Sequence, residues 1–147
     1  MGELTAELRD FLDAQRVGVL ATGAADGRPR QSLVYYARDG EDLVLSTLAQ
    51  RLKAKDVERS GWASMCVMGH EAPYPSAVFS GRARIETDGI GVATAAVMQR
   101  ITGALEPPEP QSDEALESIG RVVMRITIER VSAVNYIEPS QPDETAR

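Results

Sequence analysis

At 147 residues the chain has the length of a single domain, and its net charge of −6 and pI near 4.8 make it acidic. That balance argues against nucleic-acid binding, because neutralising phosphates takes a basic surface. One cysteine, Cys66, excludes an internal disulfide, and its neighbours Met65, Val67 and Met68 mark it as a small buried hydrophobe rather than a reactive thiol.

Leu4, Leu8, Phe11 and Leu12 recur at helical spacing, so the N-terminal 1–15 segment is expected to hold an amphipathic helix over 4–15. Val17 to Thr22 reads as a buried strand. Asp26-Gly27 and Pro29 supply turn chemistry, and Gln31 to Ala37 reads as a second strand. Asp39-Gly40 is another tight turn, followed by a third strand over Asp42 to Thr47. Three strands on short turns are most simply an antiparallel meander. A short helix is expected over 50–59, then a strand from Gly61 to Met68, then a proline-flanked loop with His70 and Tyr74. The alternation around Gly81, Ala83 and Ile85 predicts a strand. Asp88 is placed to cap a helix carrying Ile90, Ala93, Val97 and Ile101, closed by Gly103. The proline-rich connection at 106–110 leads to a short helix capped by Ser112 or Asp113. A long half-buried strand follows from Val122, continuing toward Tyr136, and 138–147 is expected to be a flexible tail.

The pattern is mainly β with inserted α-helices and lacks βαβ alternation. It predicts a six- to seven-stranded antiparallel barrel decorated by helices, in one domain spanning 1–147. No apolar run reaches the roughly 18 residues of a membrane span, and no basic-then-apolar leader opens the chain. A cytoplasmic protein without membrane association is expected.

The most informative stretch for chemistry is Ser46 to Lys55. Both lysines of the chain, Lys53 and Lys55, lie here beside Arg51; every other basic residue is arginine. A hydroxyl pair followed by three cations at a strand-to-helix junction suits a phosphate, since hydroxyls and backbone N–H groups donate and cations neutralise. A solvated helix face is the plain alternative. No dinucleotide fingerprint, P-loop or nucleophile elbow is present, and one His with one Cys makes no zinc site. The carboxylates form no convincing catalytic pair. No catalytic side chain and no metal ligand is therefore assigned. Chains so poor in side-chain catalysts either bind without catalysis or hold a cofactor that supplies the chemistry. Haem ligation by the lone His70 stays open as a minor reading beside simple exposure.

Five segments carry a family resemblance: Val19 to Thr22 with Asp26 to Pro29; Leu43 to Thr47; Arg51 to Val57; Val78 to Ala83; and Arg125 to Val131. In order and spacing they resemble the split β-barrel flavin-binding superfamily of pyridoxamine 5′-phosphate oxidase-like proteins. The chain looks closest to the actinobacterial branch that includes F420-dependent reductases. The resemblance implies an FMN-binding type of split barrel and a homodimer with the cofactor in a groove between subunits. It implies phosphate contacts from Thr47, Arg51 and Lys53 with Ser46 nearby, cofactor contacts also from Leu52 and Lys55, and Gln31, Ser32, Leu33 and Val34 running along the ring. Lys55, two residues past Lys53, faces another side of a helix.

The activity so implied is an oxidoreductase transferring hydride from reduced coenzyme F420 to an unsaturated small organic acceptor. FMN is the alternative cofactor, and a non-catalytic flavin- or haem-binding module the alternative role. Members that oxidise pyridoxamine phosphate carry an arginine- and histidine-containing segment near the C-terminus. This chain has Arg125 and Arg130 there but no histidine beyond His70, which argues against vitamin B6 oxidation. Tyr35, Tyr36, Trp62 and Tyr74 are candidates either for the groove wall or for core and dimer packing.

Overall fold

The computed structural model describes residues 4–134. The expected continuation of the last strand to Tyr136 and the tail at 138–147 lie outside the described residues. In chain order the elements are α1 (Ala6–Ala14), β1 (Val17–Gly23), β2 (Pro29–Tyr35), β3 (Ala37–Asp39), β4 (Asp42–Leu48), α2 (Leu52–Ser60), β5 (Trp62–Met68), β6 (Ser76–Glu86), α3 (Gly91–Thr102), α4 (Asp113–Ser118) and β7 (Arg121–Val134).

The seven strands form one antiparallel sheet in the order β2-β1-β5-β6-β7-β4-β3. Its two edge strands, β2 and β3, are separated in sequence by Tyr36 alone. The sheet therefore curls until its edges approach, giving the expected mainly β split barrel. The expected meander is corrected here. β2 does not pair with β4; the chain turns at Tyr36 and joins the opposite end of the sheet, where β4 pairs with β3 and β7. The physical reason lies in Tyr36. It is fully buried, its hydroxyl donates to the Leu12 carbonyl at 2.6 Å, and its N–H donates to the Arg16 carbonyl. Those bonds take the backbone out of the strand and seal α1 over the end of the barrel. Burial raises the phenol pKa above its ordinary value.

Alternation divides each strand between two environments. Leu20, Leu43, Leu45, Met65, Val67, Phe79, Met124 and Ile126 face the barrel interior, closed by Leu4 and Leu12 at the α1 end. A second cluster lies outside β4 and β7, where Val44 and Val123 pack with Ile90 and Val97 of α3 and Leu116 of α4. The Asp26-Gly27 turn forms as expected: Gly27 has φ +86° and the Asp26 carboxylate accepts the Arg28 N–H. Gly81 is required for another reason. A Cβ there would lie 1.9 Å from the Thr127 carbonyl oxygen, beside the bulge that sets Ser80 opposite Arg130 and Gly81 opposite Ile128.

Asp88 does not cap α3, as the sequence pattern suggested. The helix starts after Ile90 without a side-chain cap, and Asp113 reaches across to accept the Gly89 N–H at 2.9 Å. Ile101 faces solvent rather than the core. Among the described residues no helix is long and apolar enough to cross a membrane.

Candidate functional site

The junction after β4 folds as a helix N-terminus with an unusual charge pattern. Arg51 occupies the N-cap position of α2 with extended backbone and no capping side-chain bond, and no acidic residue lies in the first turn. Helix N-termini favour acidic or hydroxyl side chains, because the first N–H groups lack partners and the dipole is positive there. Here Arg51 and Lys53 stand where an anion would be favoured. Among the described residues neither they nor Lys55 form an ion pair. Burial, then the charge of Arg51, lowers the Lys53 pKa from its ordinary value.

This N-terminus opens on a groove of about 470 Å³ lined by Arg30, Gln31 and Ser32 of β2 and by Gln50, Arg51, Leu52 and Lys53. Five of the ten residues singled out in the sequence thus meet in one place: Gln31, Ser32, Arg51, Leu52 and Lys53. The other five lie elsewhere. Leu33 is 74% exposed on the outer face of β2, and Val34 is buried toward the core. Ser46 and Thr47 point to opposite faces of β4. Thr47 is buried on the face of Leu43 and Leu45, and Ser46 lines a separate cavity under α3. Lys55 is exposed on α2, turned away from Lys53. Tyr36 is closed off in the core and Trp62 lines a different recess beside Arg82 and Glu129. Among the described residues β2 is a sheet edge, so one side of its backbone has no strand partner there and is open to a ligand.

Beneath the groove lies a group with no motif to announce it. Asp56 is 2% exposed on the inner face of α2, between Ala54 and Val57. Its carboxylate accepts the Thr22 hydroxyl at 2.8 Å and the Arg30 Nε at 2.8 Å, and Arg59 lies 3.5 Å away. Arg59 also donates to the Gly23 carbonyl. Burial raises the Asp56 pKa, but the hydrogen bonds from Arg30 and Thr22 and the charges of Arg30 and Arg59 outweigh it. The carboxyl titrates below its ordinary value. This network fixes α2 to β1 and β2 and holds Arg30 at the groove wall. The available signal was a carboxylate on the apolar face of a short helix, which folding permits when partners are supplied. Among the described residues no group of three or more His, Cys, Asp or Glu is placed to hold a metal. His70 is exposed, in a loop recess with Phe11 and Gln15.

A second surface feature is apolar. Leu33, Val19, Cys66 and Val78 are cross-strand neighbours in one row over β2, β1, β5 and β6, and Leu33 and Val78 are solvent-exposed. Tyr35 and Met68 extend the exposed area beside the row.

The family model for pyridoxamine 5′-phosphate oxidase matches residues 4–135. Among solved structures, an F420 reductase is similar at 26% identity, over 84% of this chain and 94% of its own, with a TM-score of 0.68. A FAD-binding protein from Mesorhizobium loti shows 30% identity over 90% of this chain and 95% of its own, with a TM-score of 0.66. A conserved hypothetical protein from Mycobacterium tuberculosis shares the fold at 24% identity, over 99% of this chain and 96% of its own, with a TM-score of 0.74. Among curated proteins none matches significantly.

Proposed function

Because the chain belongs to the pyridoxamine 5′-phosphate oxidase family, we propose that the β2–α2 groove holds the phosphate of a flavin-type cofactor, and that this cofactor is coenzyme F420. The observation that carries the reading is the cation pair Arg51 and Lys53. Among the described residues it has no carboxylate partner, and it sits on an uncapped helix N-terminus, in a groove shared with β2. An anion there satisfies the free N–H groups, the dipole and both side chains together. Arg30 adds a third cation. Its Nε is spent on Asp56, which leaves the other guanidinium nitrogens for a ligand. That surplus of positive charge favours F420, with its anionic oligoglutamyl tail, over FMN, and the likeness to an F420 reductase points the same way.

When bound, F420 supplies a hydride from its reduced ring to an unsaturated small organic acceptor. The chain contributes position and exclusion of water: Gln31 and Ser32 meet the ring edge through backbone and side chain, and no protein nucleophile or acid is invoked. The row Leu33–Val19–Cys66–Val78, exposed at its two ends and half-buried between them, is an apolar face suited to a second copy of the chain, which would complete the groove as a homodimer.

Parallel calorimetric titrations with F420 and with FMN test the cofactor. Micromolar or tighter F420 binding with at least tenfold weaker FMN binding is expected. The reverse order assigns the chain to FMN, and binding of neither removes the cofactor reading. Light scattering of the purified protein tests the dimer, and a monomer mass at working concentration removes it.

A further inference from the structure

A cavity of about 480 Å³ is separate from the cofactor groove. Its floor is the outer face of β4 and β7. Ser46 pairs with Val123 and Leu48 with Arg121, which places Ser46 and Arg121 on the same face. Gly91, Thr94, Ala95, Met98 and Ile101 of α3 form one wall. Leu116 and Ile119, at α4, and the segment at 108–111 form the other.

The walls are tied in place. Gln99 bonds to the Ala104 and Leu105 carbonyls at one end of the connecting segment. At the other end Asp113 accepts the Gly89 N–H and Ser112 caps α4. Gly91 fits so closely that a Cβ would lie 2.4 Å from the Gln111 carbonyl oxygen. The cavity is therefore formed by the fold itself, and its volume is in the range of small-molecule sites, roughly 300–1,000 Å³.

Its polar groups lack partners. Thr94 is 7% exposed, and its hydroxyl, completely buried, has no hydrogen bond. So closed off, that hydroxyl does not open on the cavity. Arg121 is half-buried and, among the described residues, forms no ion pair. Glu109 is the one acid in the lining, on the exposed connecting segment. The remaining contacts are predominantly apolar, from Ala95, Met98, Ile101, Leu116 and Ile119.

We propose that this cavity is a binding site for a small, largely apolar carboxylic acid, with its body among Met98, Leu116 and Ile119 and its carboxylate meeting Arg121. An arginine without a counter-ion is the complement of a carboxylate, and the apolar walls are the complement of a hydrocarbon or aromatic body. β4 serves both sites: Ser46 faces the cavity, and Gln50, just past the strand, lines the groove. The ligand of this cavity is distinct from the proposed cofactor.

The test is a titration of the full chain with 4-phenylbutyrate and with the uncharged 4-phenyl-1-butanol, followed by backbone amide NMR shifts. Saturable shifts at α3, α4 and the start of β7 are expected, with the alcohol bound about 10-fold or more weakly, as a lost charge-assisted bond requires. Arg121→Gln should bring the two probes to within a factor of about 3. Met98→Trp, from the half-exposed rim, should abolish binding by filling the cavity. Lys53→Ala should leave the acid's affinity unchanged, which keeps this outcome separate from the fate of the cofactor reading. No saturable binding, or equal affinity for acid and alcohol in the unaltered protein, overturns the proposal. So does loss of binding in Lys53→Ala, which would place the acid in the groove.

Discussion

Arg125 and the pair Arg51–Lys53 are cations in one acidic protein, and their surroundings differ in every respect. Arg125, 15% exposed in β7, reaches Glu86 at 2.8 Å, Asp39 at 2.8 Å and Asp42 at 3.2 Å. Burial works against its charge, yet these carboxylates outweigh it and its pKa stands above the ordinary arginine value. Among the described residues Arg51 and Lys53 pair with no carboxylate, although the chain offers 22 acids for 16 bases. Shortage of acid does not explain the difference. A cation fully engaged inside the fold serves the fold, and a cation pair left open at a helix N-terminus is available to a ligand.

The strongest break of that comparison is the double variant Arg51→Ala with Lys53→Ala. Two charge-assisted bonds at roughly 1.5–3 kcal/mol each correspond to a loss of at least about 100-fold in F420 affinity. The melting temperature should not fall, because neither side chain holds a partner among the described residues. Calorimetry and a thermal melt on the same sample decide it, and retained affinity would free the pair from the phosphate role.

Arg125→Met makes the opposite change. It leaves Asp39, Asp42 and Glu86 facing one another, and the cost should be about 3 kcal/mol of stability, at the lower end for a broken buried pair because Asp39 is largely exposed. F420 affinity should hold in the folded fraction. Denaturant unfolding measures the loss; a change below about 1 kcal/mol would make the cluster an ordinary surface network.

Much of this division was legible in the sequence. Apolar runs and turn residues located β1, β4, β5 and most of β7, since period-2 burial writes itself into the residue pattern. The basic stretch led to Arg51 and Lys53 because charge density at a strand end is visible without a fold. What stayed hidden depends on pairing. Ser46 and Thr47 look equivalent as a hydroxyl pair, but adjacent strand residues face opposite sides, and which side meets the groove depends on how the sheet curls. The break at Tyr36 was illegible because it arises from the Leu12 and Arg16 carbonyls brought there by α1. Asp56 was missed because its partners Thr22 and Arg30 are 34 and 26 residues away in sequence.

Asp56→Asn sharpens the contrast on the same helix. It keeps the shape but removes the charge that holds Arg30 and Arg59, at a cost of about 2–3 kcal/mol at neutral pH. The carboxyl titrates lower folded than unfolded, so its contribution is complete above the unfolded carboxylate value of about 3.9 and is lost as pH falls through the folded value. The unaltered protein and the variant should therefore converge in stability in acid. A gap that persists down to pH 2 would assign the effect to packing rather than charge.

The smallest expected effect concerns the apoprotein. Burial and Arg51 lower the Lys53 pKa, so charged Lys53 costs stability at every pH below its folded value, and the cost fades as pH rises toward the unfolded value of about 10.4. Lys53→Met should then raise the stability of the apoprotein at neutral pH by no more than about 0.5 kcal/mol, since solvent screens much of the repulsion. An anion should invert the order, because inorganic phosphate at the α2 N-terminus relieves the repulsion only where Lys53 is present to meet it. Melting temperatures with and without phosphate read both signs at once. A variant that is less stable than the unaltered protein in both conditions would mean that Lys53 supports the fold, and the distinction from Arg125 would disappear.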